Sequence, residues 1–145
     1  MKLSTKSRYS VRLMADLAVR ETGHPVFLKD VARNQDLSEK YMSRLVIPLR
    51  RAGLVLSARG AHGGYMLARD PKEITLLEIV EASEGKISIV DCIANPETCS
   101  STGSCPTRNI WGRLEEHITS WLRGITLADI AEEYRQGKGT LMYHI

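Results

Sequence analysis

At 145 residues the chain has room for one domain, or for a small domain with a long appended helix. Its 43% hydrophobic content fills a core and excludes a disordered chain, and its uncharged apolar stretches are too short to cross a bilayer. The net charge of +3 is unevenly placed: residues 1–60 hold 12 Lys/Arg against 5 Asp/Glu, and residues 61–145 hold 8 against 12, so the first part carries the footprint of a polyanion-binding surface.

The amino-terminal stretch Met1 to Arg8 lacks an apolar signal run, which points to the cytoplasm. From Ser4 to Arg20 the spacing of Tyr9, Leu13 and Leu17 predicts a helix, which Gly23-His24-Pro25 ends. A second short helix starts near Leu28, with Val31 and Ala32 inward. After a tight turn at Gln35-Asp36-Leu37, Ser38 is an N-cap, and a third helix runs from Glu39 to about Arg51. Its apolar stripe is Tyr41, Met42, Leu45, Val46 and Leu49, and Pro48 should kink its last turn. Two β-type runs, 54–59 and 65–69, then flank the loop Gly60-Ala61-His62-Gly63-Gly64 and predict a hairpin.

Beyond the hairpin, Thr75-Leu76-Leu77-Glu78 is a capping box that opens another short helix. Residues 91–106 read as an irregular polar loop. A longer helix follows, from Thr107 to about Gly124, with Ile110, Trp111, Leu114, Ile118, Trp121, Leu122 and Ile125 as its apolar set. Thr126 to Asp129 starts a last short helix, and 136–145 reads as a loose tail. The expected fold is mainly α with a small β-hairpin wing. Its parts are a winged helix-turn-helix over 1–84, a cysteine-rich loop over 85–106, and a dimerisation helix with a short C-terminal helix over 107–135.

A helix that enters the major groove needs polar or basic side chains on its outer face and an apolar back. Lys40, Ser43 and Arg44 lie opposite Met42, Leu45 and Leu49, while Ser38 and Tyr41 can reach backbone phosphates. Glycines at the hairpin tip allow close approach to DNA, and Arg59 beside Gly60 is placed like a minor-groove arginine. Lys6 joins this set from the first helix, and His62 is a candidate phosphate contact at the tip. Double-stranded operator DNA is the expected partner. The two tryptophans and the aliphatics of the long helix exceed what one small winged domain buries, so a homodimer is expected.

Cys92, Cys99 and Cys105 read C-x6-C-x5-C in a flexible polar loop. The spacing is too wide for the usual zinc-finger pairs. An iron–sulfur cluster, a thiol switch and three unrelated cysteines all remain open at this point. The histidines are scattered, and neither H-E-x-x-H nor a phosphate-cradling G-x-x-x-x-G-K occurs, so an enzyme is not expected.

Leu3 to Tyr9, Leu37 to Met42, Arg51-Ala52-Gly53-Leu54-Val55, Arg59-Gly60-Ala61-His62-Gly63-Gly64-Tyr65, and three cysteines before Ile110-Trp111 resemble the Rrf2 family, the group of IscR, NsrR, RirA and CymR. The resemblance runs to about residue 133. It implies a dimeric bacterial transcription regulator, with repression as the expected mode. It further implies an iron–sulfur cluster held by Cys92, Cys99 and Cys105, [2Fe–2S] before [4Fe–4S], which reports cluster status. Cluster-free cysteine-metabolism or thiol sensors and nitric-oxide sensors of the same fold are the alternatives.

The chain departs from the group's pattern at the fourth ligand. Arg108 stands where the biogenesis regulators have a histidine. Arg8 stands where the nitric-oxide sensors have an aspartate, and Arg8 and Arg12 replace an acid and a histidine of a redox-sensing variant. Asp91, Glu97 and Thr107 are the candidates left to complete the set, whereas His117 lies about 13 Å further along the helix.

Overall fold

The computed structural model describes residues 2–142, and the side chains of residues 2–137. Three helices open the chain: α1 (Thr5–Val19), α2 (Leu28–Gln35) and α3 (Glu39–Arg51). Ser4 caps α1 by accepting from the Ser7 amide, and Ser38 caps α3 by accepting from the Tyr41 amide. Between α2 and α3 the chain reverses at Asp36, which holds a left-handed φ of 54°. A short polar side chain tolerates that conformation, and the Leu37 amide closes the turn onto the Ala32 carbonyl. Despite Pro48, α3 is assigned as one continuous helix.

The wing pairs β1 (Val55–Ala58) with β2 (Gly64–Leu67), antiparallel, with Val55 opposite Leu67 and Ala58 opposite Gly64. One contact here escapes the sequence pattern. Val26 bridges to Tyr65, its amide and carbonyl each bonded at 2.8 Å, so the segment after α1 adds a single antiparallel bridge to the free edge of β2. That approach requires a glycine at 64. Its φ is 145°, and a Cβ there would sit 2.4 Å from the Val26 carbonyl oxygen.

The capping box at Thr75 and Glu78 opens α4 (Leu76–Glu84) as expected. The loop over 91–106 is more ordered than its composition implies. It contains α5 (Asp91–Ala94) and a 3₁₀ turn (Pro96–Thr98), and Thr102 Oγ1 donates to the carbonyls of Pro96 and Cys99. Then come α6 (Arg108–Gly124) and α7 (Leu127–Met142).

The last helix corrects the expectation of a short helix and a loose tail: it continues through Met142, and residues 143–145 lie outside the described part. Gly137 and Gly139 lower intrinsic helix propensity, which is why the sequence reads as a tail. Tertiary contact holds the first part of this helix, up to Tyr134. Leu127 and Ala131 are buried in the same core as Leu13, Met14, Leu17, Met42, Leu45, Leu49 and Ile79. A reciprocal cap between Thr126 and Asp129 starts α7, and the Leu127 amide bonds the Ile74 carbonyl. Further along, the Tyr134 hydroxyl accepts from Gln35 Nε2 at 2.8 Å and from Asn34 Nδ2 at 3.0 Å. Asn34 also donates to Asp16, a carboxylate only 1% exposed that takes a second bond from Arg20. Thus α7 is fastened to α1 and α2 by packing and by a partly exposed polar network with Asp16 and Gln35 at its buried end.

Candidate functional site

Two separate regions carry the sequence-expected site residues. The first is the outer face of α3 with the wing. Met42, Leu45, Val46 and Leu49 turn inward and are at most 2% exposed, which forces the opposite face outward. Lys40, Ser43, Arg44, Arg50 and Arg51 are exposed on α3, Arg59 and Gly60 at the wing, and Lys6 at the start of α1. Among the described residues, Lys6, Lys40, Arg44, Arg51 and Arg59 form no salt bridge with a carboxylate. Lys6 acts on the nearby Glu84 carboxylate, whereas the other four are without a carboxylate partner, the condition under which a surface attracts a polyanion.

The other members of the set have duties inside the protein. Ser38 Oγ accepts from the Tyr41 amide at 3.1 Å, so its hydroxyl hydrogen stays available for a phosphate oxygen. Ser43 Oγ donates to the Glu39 carbonyl at 2.9 Å, which leaves lone pairs facing outward. Tyr41 is half-buried, and its ring meets the edge of Tyr9 at 6.0 Å between centroids; this pair seats α3 against α1. Arg50 donates to Ser57 Oγ at 3.3 Å and ties α3 to the wing. Gly60 takes φ 101° at the tip, and its carbonyl closes the turn with the Gly63 amide. Arg50 and Val26 thus act as supports of this surface that the sequence pattern did not single out for that role. A side-chain bond across 7 positions and a backbone bridge across 39 leave no periodic signal.

The second region is the loop with the three cysteines, all of them free thiols. Cys92 lies on α5 and Cys105 just before α6, both half-buried, and Cys99 is exposed after the 3₁₀ turn. Cys105 Sγ lies 3.5 Å from Thr107 Oγ1. That hydroxyl, the Thr107 and Arg108 amides and the Arg108 charge hold the Cys105 thiol below its ordinary pKa, so more of it is thiolate at neutral pH. The Arg108 guanidinium reaches back to the Cys92 carbonyl at 3.4 Å, and its Nε is buried without a partner. Ile93 packs over Gly112, and the Ile89 amide donates to Glu115, so α5 and its approach lie fastened along α6.

The donors suit a thiolate-bound metal group in kind: three reduced thiols on one loop, one of them acidified. Yet among the described residues no three Cys, His, Asp or Glu side chains converge as a metal site would need. The loop carries three thiols without gathering them. Asp91 and Glu97 are exposed beside the loop, Thr107 is engaged with Cys105, and His117 stands exposed on α6.

The apolar face of α6 is left open. Ile110, Leu114 and Trp121 are 58%, 43% and 64% exposed, and only Leu122 is buried. Beside this face runs a groove of about 680 Å³, lined by Leu3, Val80, Leu114, Ile118, Trp121 and Leu122. No helix among the described residues is long and apolar enough to cross a membrane.

Comparison with known proteins agrees with this architecture. Residues 3–133 match the Rrf2 family, described as "Iron-dependent Transcriptional regulator". The HTH-type transcriptional regulator CymR of Bacillus subtilis is 38% identical over 145 residues, covering all of both chains. The solved structure of CymR, described as the global cysteine regulator of B. subtilis, superposes with a TM-score of 0.76 at 38% identity, over 92% of this chain and 98% of that one. The structure of T. potens IscR gives 0.73 at 37% identity, over 94% and 90%.

Proposed function

For this chain, which belongs to the Rrf2 family of DNA-binding transcriptional regulators and is not an enzyme, we propose a finer reading: a cytoplasmic homodimer that represses by seating α3 and the wing on operator DNA, its occupancy set by an iron–sulfur group on the cysteine loop. One observation carries the sensing part. Three free thiols sit on a single loop inserted between the reading domain and α6. Cys92, Cys99 and Cys105 would hold the group, [2Fe–2S] in preference to [4Fe–4S]. When bound, it would make the order of this loop depend on iron and on oxidants.

The chain's own part is mechanical. Arg108 holds the Cys92 carbonyl, Glu115 holds the Ile89 amide, and Ile93 packs on Gly112. A loop fastened in this way sets the direction in which α6 leaves α4. In a twofold dimer that direction sets the separation of the two α3 helices, and half-site spacing follows from it. The open face of α6 and its groove suit a second copy, since isologous contact buries the same stripe on both chains.

Protein purified without oxygen is expected to contain iron and acid-labile sulfide, and the triple Cys→Ala variant none. The two forms are expected to differ in operator affinity or site choice; identical binding would end the sensing claim while leaving DNA binding intact. A second reading is a cluster-free thiol sensor. It is supported by the separation of the thiols and by the acidified Cys105, and iron-free protein whose DNA binding responds to peroxide or disulfide would select it. For the DNA surface, Arg44→Ala should relax sequence preference and Arg59→Ala should weaken A·T-rich contacts. Each is expected to cost ~1–3 kcal/mol, read by anisotropy titration across a salt series.

A further inference from the structure

Among the large apolar side chains of α3, one is exposed. Ile47 keeps 47% of its surface accessible, while Met42, Leu45, Val46 and Leu49 are sealed in the core. Its position follows from helix geometry. Residues three and four apart share a face, so Ser43 and Arg44 lie one turn before Ile47, Arg50 and Arg51 one turn after, and Lys40 two turns before. Ile47 therefore lies near the middle of the solvent face, surrounded by basic side chains.

That setting restricts what can cover it. A lone isoleucine is far too small an apolar patch for a protein interface, which needs several hundred Å². The surrounding cations, unpaired with carboxylates, favour a polyanion. The occupant must be anionic overall and yet present an isolated apolar group at the depth of a helix. The major groove of duplex DNA does so at one place among the four standard bases, the C5-methyl of thymine. The neighbour one turn away is compatible with a base edge there. Ser43 has spent its hydroxyl hydrogen on the Glu39 carbonyl and can only accept, which suits an exocyclic amino donor, adenine N6 or cytosine N4.

We propose that Ile47 is a specificity-determining residue that packs on a thymine methyl in each half-site. This rests on the reading of α3 as the groove-entering helix and deepens it. The probe is the duplex that the full-length protein itself selects from a random-sequence pool. Each thymine is then replaced singly by deoxyuridine, which removes the methyl and nothing else. Wild type is expected to weaken about three- to fivefold at one thymine per half-site, the factor that burial of one methyl group carries. Ile47→Ala should bind the unmodified duplex more weakly and lose nothing further at that position. Ile47→Val should retain the response.

The side chain is exposed, so unchanged melting curves will show that the variants fold. A flat deoxyuridine scan, or an Ile47→Ala protein that responds like wild type, overturns the proposal. Lys40→Ala and Arg44→Ala separate the two levels. If they weaken binding while the scan stays flat, only the role of Ile47 fails. If they too leave affinity and its salt slope unchanged, the assignment of α3 fails with it.

Discussion

The reading domain and the α5–α6 segment obey the same helix-packing rules and end differently. In the first, every amphipathic helix closes on a common core, and even the last helix of the chain returns to complete it through Leu127 and Ala131. In the second, an equally amphipathic helix buries Leu122 and leaves Ile110, Leu114 and Trp121 in solvent, beside thiols that do not converge. The comparison teaches that the reader closes its core within one chain, whereas the α5–α6 segment leaves an apolar face and three thiols open. That division suits a regulator. A rigid reader needs to move as a unit, and the element that moves it must have more than one arrangement available.

The sharpest way to break this comparison is to attack the open face. Leu114→Asp with Trp121→Asp is expected to raise the dimer dissociation constant by at least about a hundredfold, as removal of interface anchors does. Sedimentation velocity reads this directly, and the far-ultraviolet circular dichroism of the reader should persist. A double variant that stays dimeric would show that this face is not where the partner sits.

The next test contrasts two glycines. Gly64→Ala puts a Cβ 2.4 Å from the Val26 carbonyl at φ 145°, so it is expected to cost the reader about 1–3 kcal/mol in urea unfolding. Gly103→Ala, in open space on the cysteine loop, should stay within about 0.5 kcal/mol. Equal losses would erase the distinction between a finished core and an unfinished loop.

The smallest effect sharpens the loop itself. Cys105 titrates below the ordinary thiol value through the Thr107 hydroxyl, the adjoining amides and Arg108. Because the thiolate is the stabilised form, its alkylation by iodoacetamide in metal-free protein should reach half-maximal rate at a pH below the usual thiol midpoint. Thr107→Ala should move that midpoint up. Mass-spectrometric mapping of alkylated Cys105 against pH checks both, and an unmoved midpoint would remove Thr107 from the account.

Much of the reader was legible in advance because its signals are local. Ser38 and Thr75 cap the helices that they precede, the 3.6-residue stripe of α3 marks its buried side, and glycines mark the tip of the wing. The nonlocal supports were hidden. Asp16 looks like an ordinary surface carboxylate until Asn34, Arg20 and Tyr134 are seen around it, and Val26 looks like linker until it pairs with Tyr65. The cysteines were legible as candidates, but their separation was not, since spacing along a chain bounds how far apart thiols can lie and says nothing of whether they meet.

From composition and periodicity alone came the helix-turn-helix order, the basic face and the three thiols on one loop, because caps, turns and amphipathic stripes are written in residues near one another. Only the folded chain decided that Val26 pairs with Tyr65, that Asp16 is buried under Asn34 and Arg20, and that Ile47 stays uncovered while Met42, Leu45 and Leu49 are sealed. Each of these depends on which surface another element covers, and the free energy of burial is settled between residues distant in sequence, where no local pattern reaches.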